Sequence, residues 1–542
     1  MENIKYQEHK ANLNKGLSES NNEDSKAYEG FYIKGDVSGI QDFIFNIKSK
    51  GASKALKARS FVVEQIAELC LKYIQDELKD CELLYSGGGN FYLFIKGSNI
   101  SEEILTQQID SLQSKINQEL LYQEIYCAIS LLKATQGDSF FDVWKNLNGE
   151  ISGKDKLKKF NTDFPFIPYQ ALSTNNEDNY RKFTSQLVKS IGYEIEKGDP
   201  NKEFIANGQI SMLGYNSRLT TIQDFTDEKH SLEARLQNKL PCWTEELMKQ
   251  HKDLIDSSVS EGNIVEFSYL AEFAGIRTGT AKLGVLKMDG DNMGNIFKNK
   301  TLEQSKKISR SLKYFFEEYL LDLLNRTFQP IVGGNYYSNI YVVFSGGDDC
   351  FLIGAWDAVL SFAQVINEEF TKFCNNEISL SCGILVIDKN FPVKRFAELA
   401  EEALGEAKKR VEDGELKKNA ISIFGEVLTW EEYRFAKSIK NDLVELVEQR
   451  EESKAIIHAV KRSSLGFETL QQKALNGKLD FRNLWRFQYS LRNVKKKNID
   501  FVNTKIISKY QKILLNAISK DKDHNPATFA VAARWAEYSV KK

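Results

Sequence analysis

Gly346-Gly347-Asp348-Asp349 lies between two apolar runs, Tyr341-Val342-Val343-Phe344 and Cys350-Phe351-Leu352-Ile353, and this arrangement leaves the chain few ways to fold. β-Branched and aromatic residues on both sides call for a buried strand pair, and consecutive glycines supply the backbone freedom of a tight turn. The expectation is a β-hairpin with two carboxylates at its tip. Side chains there add little to a core, but hard oxygen donors suit Mg²⁺ and bare glycine backbone admits a phosphate. The tip is therefore suited to holding divalent cations against a triphosphate. By itself the tetrapeptide also reads as an ordinary Gly-Asp turn.

The neighbouring sequence favours the first reading. Leu283-Gly284-Val285-Leu286-Lys287-Met288 is a short apolar strand ending in Asp289-Gly290-Asp291. Residues two apart on an extended chain share a face, so both aspartates could point into one site. Ile308, Leu312, Phe315, Tyr319 and Leu323 then recur at helical spacing, as expected of a helix packed on a sheet. After the hairpin come a helix through Phe362, Val365 and Phe370, a strand from Ile378 to Ile387, and a helix from about Val393 that carries Lys408. The order of strand, helix, acidic hairpin, helix, strand and helix is that of a nucleotidyl-transferase palm.

The pattern occurs twice. Lys34-Gly35-Asp36-Val37-Ser38-Gly39-Ile40-Gln41-Asp42-Phe43 opens an earlier unit, a helix begins near Ala52, and Leu83-Leu84-Tyr85-Ser86-Gly87-Gly88-Gly89-Asn90-Phe91-Tyr92 repeats the hairpin without its carboxylates. Aligning Asp36 with Asp289 and Gly87 with Gly346 leaves intervals of similar length, and Ile125 to Leu132 then corresponds to the strand at Ile378 to Ile387. This is an internal duplication at domain scale.

Met288-Asp289-Gly290-Asp291, Ser345-Gly346-Gly347-Asp348-Asp349, Ser381-Cys382-Gly383-Ile384 and Ala407-Lys408 resemble the GGDEF-type cyclase palm. The Asp-Asp ending, the degenerate first copy and the run Gly-Asp-x-Ser-Gly-Ile-Gln-Asp-Phe-Ile make the chain more similar to the large subunit of type III CRISPR effector complexes. That resemblance implies an α+β fold with two ferredoxin-like palms, an insert between them and an all-α C-terminal domain. It implies ATP as substrate, cyclic oligoadenylate as product, and guide RNA (crRNA), target RNA and the small-subunit and backbone proteins of the complex as partners. Three alternatives stand beside it: a free-standing GGDEF-like cyclase, AMP transfer to another small acceptor, and a non-catalytic scaffold.

Joining a 3′-oxygen to an α-phosphorus needs in-line geometry, a more acidic alcohol and neutralised pyrophosphate charge, all within reach of two cations. The expected catalytic residues are Asp348 and Asp349, with Asp289 and Asp291 completing the ligands for Mg²⁺ or Mn²⁺. Ser345, Gly346, Gly347 and Gly290 are expected along the nucleotide. Lys408 reads either as a ligand for the outer phosphates or as a solvated lysine beside Lys409 and Arg410. In the first unit Asp36, Ser38, Gly87, Gly88 and Asn90 are acceptor-site candidates, Asp36 and Ser38 reading equally as local turn formers.

With 542 residues the chain is long enough for several domains, and 73 Lys and Arg against 75 Asp and Glu exclude an overall basic coat for nucleic acid. The best basic and aromatic stretch is Arg482, Arg486, Arg492 and Lys495-Lys496-Lys497 with Phe481, Trp485, Phe487 and Tyr489, read as an RNA contact or as a solvated helix face. Seven cysteines include no Cys-x-x-Cys pair, so no zinc is expected and the cysteines read as reduced core residues. None of the five histidines precedes an aspartate, which predicts no HD-type nuclease. No apolar run is long enough for a bilayer; the expectation is a cytoplasmic protein without membrane contact.

The expected organisation is a polar lead over 1–29, mobile or partner-bound, a first palm over 30–160, an α/β insert over 161–262 with helices at Arg181 to Glu196 and Trp243 to Ser257, a catalytic palm over 263–425 and a helical domain over 426–542.

Overall fold

The computed structural model describes the chain apart from residues 1, 19–26, 49–50, 98–100, 121–124, 136, 159–173, 200–201, 207, 222–239, 298–299, 330–333, 413–414, 465–484, 486–487, 490, 520–526 and 541–542. A helix, α1 (Glu2–Ser18), precedes the first sheet unit. That unit runs β1 (Gly30–Ser38), α2 (Ile40–Phe45), α3 (Ala52–Glu77), β2 (Cys81–Gly87), β3 (Asn90–Lys96), α4 (Glu102–Leu120), β4 (Tyr126–Ala134), α5 (Phe140–Asn146) and α6 (Ser152–Leu157). Its antiparallel sheet has the order β2-β3-β1-β4.

After α7 (Thr174–Leu187) comes a smaller antiparallel sheet of β5 (Ser190–Lys197), β6 (Ile205–Ala206), β7 (Gln209–Met212) and β8 (Tyr215–Thr221), then α8 (Glu245–Gln250). The helix expected from Arg181 to Glu196 ends at Leu187 and gives way to β5, because Tyr193 and Ile195 alternate at strand period and pack into the core. The helix expected from Trp243 shortens to α8, whose start is set by Thr244 capping the amide of Leu247.

The second unit repeats the first. It runs α9 (Phe267–Thr278), β9 (Lys282–Gly290), α10 (Met293–Ile296), α11 (Leu302–Tyr314), a π-helical turn at Phe315–Tyr319, α12 (Leu320–Leu324), β10 (Ile340–Gly346), β11 (Asp349–Ala355), α13 (Trp356–Phe373), β12 (Leu380–Asp388) and α14 (Val393–Lys408). A short ribbon, β13 (Val411–Glu412) with β14 (Glu415–Leu416), leads to β15 (Ala420–Ile423) and β16 (Glu426–Thr429). The sheet order β10-β11-β9-β12 matches the first unit strand for strand, and β15 and β16 extend it beyond the boundary expected at 425. Both hairpins carry a register shift at the same place, Leu83/Tyr85 and Val342/Phe344. Equal bulges in equal strands give the two hairpins the same local bend and twist.

Alternation along each strand assigns the faces. Leu286 and Met288 of β9 join Ile308, Leu312, Phe315, Val359 and Phe362 under α11 and α13. Leu283 and Val285 face the other way, into a core that also holds Leu56, Val62 and Ile66 of α3. The two units thus share one hydrophobic interior. Phe45 packs on Phe351 with ring centroids 4.9 Å apart, and the fully buried Tyr341 hydroxyl donates to the Ser53 carbonyl. Burying each such side chain contributes about 1.5–3 kcal/mol, so the hairpin is fixed against the first unit as firmly as within its own.

The N-terminal lead forms a helix docked on the second unit. Tyr6 packs at a tilt against Tyr319 with centroids 4.6 Å apart, His9 lies flat on Tyr314 at 4.2 Å, and Leu13 is fully buried beside α11. Tyr6, Leu13 and Leu17 fall on one stripe, which is enough to seat the helix, while Ile4 is exposed. The described residues of the tail are mainly helical, with α15 (Trp430–Glu448) and α16 (Ala455–Ser464) packed against the helix Ala527–Ser539.

Glu369 on α13 accepts hydrogen bonds from Tyr319 at 2.9 Å, Arg326 at 3.1 Å and Lys372 at 2.8 Å. Burial alone would raise its pKa, but these donors outweigh it and hold the carboxyl at about 2, against 4.5 ordinarily. A depressed folded-state pKa stabilises above the unfolded value and is lost as pH falls from about 4.5 toward 2. Glu369→Gln is expected to lower stability by about 1–2 kcal/mol at pH 7, allowing for solvent around Arg326 and Lys372, and to flatten the loss below pH 4.5 in urea titrations.

Candidate active site at the hairpin of the second unit

β11 lies between β10 and β9, and this sets the site. Gly346 pairs with Asp349, leaving Gly347 and Asp348 as a two-residue turn, with Gly347 at φ +66°, where a side chain would be strained. Asp349 in turn stands directly opposite Asp289 of β9. The amide of Gly290 donates to the Asp348 carbonyl at 2.9 Å, drawing the turn over the end of β9. Three carboxylates, Asp289, Asp348 and Asp349, are thereby brought to adjacent strand ends by backbone pairing alone.

Their proximity is electrostatically unfavourable. Burial first, then the charges of Asp348 and Asp289, push Asp349 up to about 8. Burial and Asp289 push Asp348 up to about 6, and burial raises Asp289 despite the adjacent Lys408. The Lys408 ammonium donates to Asp289 Oδ2 at 2.5 Å. Lys287, on the same face of β9, is bonded to Glu401 of α14, which also receives Gln41 Nε2 from the first unit at 3.4 Å.

Asp291 is engaged elsewhere. It is buried, and its carboxylate accepts from Ser381 Oγ at 2.7 Å, Ser379 Oγ at 2.7 Å and the Asn419 amide at 3.0 Å. Strand alternation pairs it with Asp289 only while the strand continues, and β9 ends at Gly290. In this arrangement Asp291 ties the return of the β13–β14 ribbon to β12. Ser345 Oγ donates at 2.6 Å to the Phe316 carbonyl in the π-helical turn, where the regular ladder is interrupted. A Cβ on Gly346 would lie 3.2 Å from Glu317 Oε1, so that glycine faces a carboxylate.

The first unit holds the same frame with different chemistry. Asp36 opposes Asn90 as Asp289 opposes Asp349. Asp36 Oδ2 is bridged by Lys34 at 2.9 Å and Lys156 at 2.8 Å. Lys34 stands two residues before Asp36 as Lys287 does before Asp289, and Lys156 near the end of α6 matches Lys408 at the end of α14. Two ammonium groups neutralise this aspartate. Ser38 Oγ donates to the Tyr126 carbonyl at 3.1 Å, Asn90 Nδ2 reaches the Gly88 carbonyl at 3.5 Å, and Gly88 borders open space; Gly87 ends β2 beside the Tyr85 hydroxyl.

The sequence reading passes over Lys287, Glu317, Glu401 and Tyr85. Strand alternation would have found Lys287; the other three depend on how separate elements meet. Of the basic stretch, Phe481, Arg482, Arg486 and Phe487 lie outside the described residues. Trp485 and Tyr489 are exposed, the Arg492 guanidinium stacks on Tyr489, and Lys495 and Lys497 bond to Glu451.

The family described as Cas10/Cmr2, second palm domain, matches residues 282–422, and that described as Csm1 subunit domain B matches residues 31–171. The Cas10/Csm1 protein of Methanocaldococcus jannaschii, subtype III-A, named a single-strand-specific deoxyribonuclease, is 31% identical over 485 residues, covering 74% of this chain and 59% of its own length. The chain belongs to the Cas10/Csm1 family, the large subunits of type III-A CRISPR systems. It spans less than two thirds of the length of the curated relatives it matches. Two solved structures share its fold at 18% identity, each covering 95% of this chain and 70% of the other: a Csm1-Csm4 cassette in complex with pppApApA, TM-score 0.67, and one in complex with cA3, TM-score 0.66. No helix among the described residues is long and apolar enough to cross a membrane.

The carboxylates at the strand ends are of the type that could hold a divalent cation. Among the described residues no three His, Cys, Asp or Glu side chains are already gathered as a metal cage, and Lys408 bonds to Asp289. The donor set nevertheless suits a hard cation: three adjacent carboxylates whose raised pKa values show that their charge is poorly compensated.

Asp291→Ala is expected to leave two serines and an amide without their acceptor and to cost about 2–3 kcal/mol. Asp349→Asn, which removes one of three repelling carboxylates, should raise the melting temperature in chelator. Thermal unfolding of both variants beside the unsubstituted chain checks the contrast.

Proposed function

We propose that this chain is an ATP-using nucleotidyl cyclase of an RNA-guided defence complex, activated by target RNA, with cyclic oligoadenylate as its product. The observation that carries the reading is Asp349 held opposite Asp289 beneath the Gly346-Gly347 turn, in a palm whose duplicate has lost that pair. The complexes of the solved relatives with pppApApA and cA3 support the class of product. The fold on this reading is two ferredoxin-like palms sharing a core, the second catalytic and the first supplying the facing wall.

Asp289, Asp348 and Asp349 would hold two Mg²⁺ or Mn²⁺ ions. When bound, such ions make a 3′-hydroxyl more acidic and neutralise the departing pyrophosphate. Gly347, bare and strained for any side chain, lets a phosphate lie against the turn. Lys408 stands at Asp289 and is placed to pass to a phosphate when that carboxylate engages a cation. Lys287 and Glu401 fix the floor of the site, and Gln41 ties that floor to the first palm. Asp291 and Ser345 act on the frame: one anchors the ribbon after α14, the other locks the hairpin to the π-helical turn. Lys34 and Lys156 occupy Asp36 where a metal ion would otherwise be needed, and the open space at Gly88 leaves room for an acceptor nucleotide.

The chain would act within a complex, with guide and target RNA reaching it through neighbouring subunits. Incubation of the assembled complex with ATP and Mg²⁺ or Mn²⁺, with and without cognate target RNA, is expected to give oligoadenylate by mass spectrometry only when the target is present. Asp348→Ala with Asp349→Ala should abolish the product, by at least a hundredfold, while assembly and RNA binding stay within twofold. Turnover by the double variant would show that the tip is not the metal site.

A further inference from the structure

The two hairpin tips meet, and one side chain crosses between them. Tyr85 belongs to β2 of the first palm, at the bulge that places Phe344 in the second. Its hydroxyl lies 2.6 Å from where a Cβ on Gly87 would stand and 3.2 Å from where one on Gly347 would stand. The phenol therefore sits between the first palm's glycine turn and the second palm's. Lys313 of α11 holds this approach by donating to the Ser86 carbonyl at 3.2 Å, and Lys306 of α11 bonds Glu82 at 2.6 Å.

The ring of Tyr85 is anchored beside Tyr92, with centroids 6.1 Å apart, but no described residue accepts a hydrogen bond from its hydroxyl. Tyr85 is half-buried rather than sealed, so its hydroxyl stays within reach of a ligand. A phenol is protonated at neutral pH and has an O–H to donate. Its neighbours in the second palm are acidic, and the ligand expected there is an anion accompanied by cations. The bulk at both turns is limited to glycine, and a Cβ on either would crowd the phenol.

We propose that Tyr85 of the first palm is a positioning residue for the second palm's site, its O–H donating to a phosphate oxygen of the nucleotide that lies against Gly347. The inference rests on the nucleotide-binding reading above. It also gives the degenerate palm a definite role, because the bulged strand aims a hydroxyl across the junction, whereas its counterpart Phe344 has none to return. The asymmetry of the duplicated pair then lies in this residue as well as in the missing carboxylates.

Tyr85→Phe removes the hydroxyl and keeps the ring. In the assembled complex with target RNA and Mg²⁺, the variant should bind a non-hydrolysable ATP analogue about tenfold more weakly, as expected for one hydrogen bond to a charged acceptor. Its kcat/KM for product should fall at least as far, with the melting temperature unchanged. Unchanged analogue affinity, or a loss matched by a lowered melting temperature, would overturn the role of Tyr85. Failure of the unsubstituted complex to bind the analogue would overturn the nucleotide reading itself, so the two failures are told apart.

Discussion

The pairing of β11 with β9 governs everything at the site. Because Asp349 is directly opposite Asp289, and the Gly290 amide holds the Asp348 carbonyl, three like charges are forced onto one edge. Nothing in the local packing requires them there, and their mutual repulsion opposes folding. The surrounding structure accordingly absorbs the strain. A shared hydrophobic interior grips the hairpin from both faces, and Lys408 and Lys287 lie close enough to offset part of the charge. A site of this kind is destabilising by itself and is maintained by the frame around it.

The duplicate shows what relaxing that constraint looks like. With Asn90 in place of the second carboxylate, Asp36 is left bridged by two lysines and faces no second carboxylate there. The backbone frame, including the bulge and the strand order, is retained. Divergence of the two copies has therefore acted on the residues at the strand ends rather than on the fold, as expected when function resides in a site grafted on a scaffold. The first copy remains part of the second's surroundings through α3, Gln41 and Tyr85.

Much of this was legible from the residues. The two hairpins, the strand carrying Asp289, the order of helices and strands and the domain-scale repeat all follow from periodicity and glycine placement, which are local properties. Where the sequence reading went astray, the cause was non-local or a change of period. The segment from Ser190 alternates like a strand directly after a helix, and the polar lead becomes helical because α11 offers Tyr314 and the following turn offers Tyr319 to pack on. Asp291 looked equivalent to Asp289 by spacing, yet the strand ends between them and its carboxylate turns to Ser379, Ser381 and Asn419.

Two glycine-tipped hairpins, the carboxylates on one of them and the aspartate-bearing strand before each are written into short stretches of chain, because hydrogen-bonded turns and strand alternation are set within a few residues. Which side chains meet at the tip is settled by tertiary packing instead. Lys408 reaches Asp289 from 119 positions away, and Tyr85 meets Gly347 from the other copy of the repeat. Such encounters depend on how whole sheets and helices are stacked, and no local periodicity encodes them.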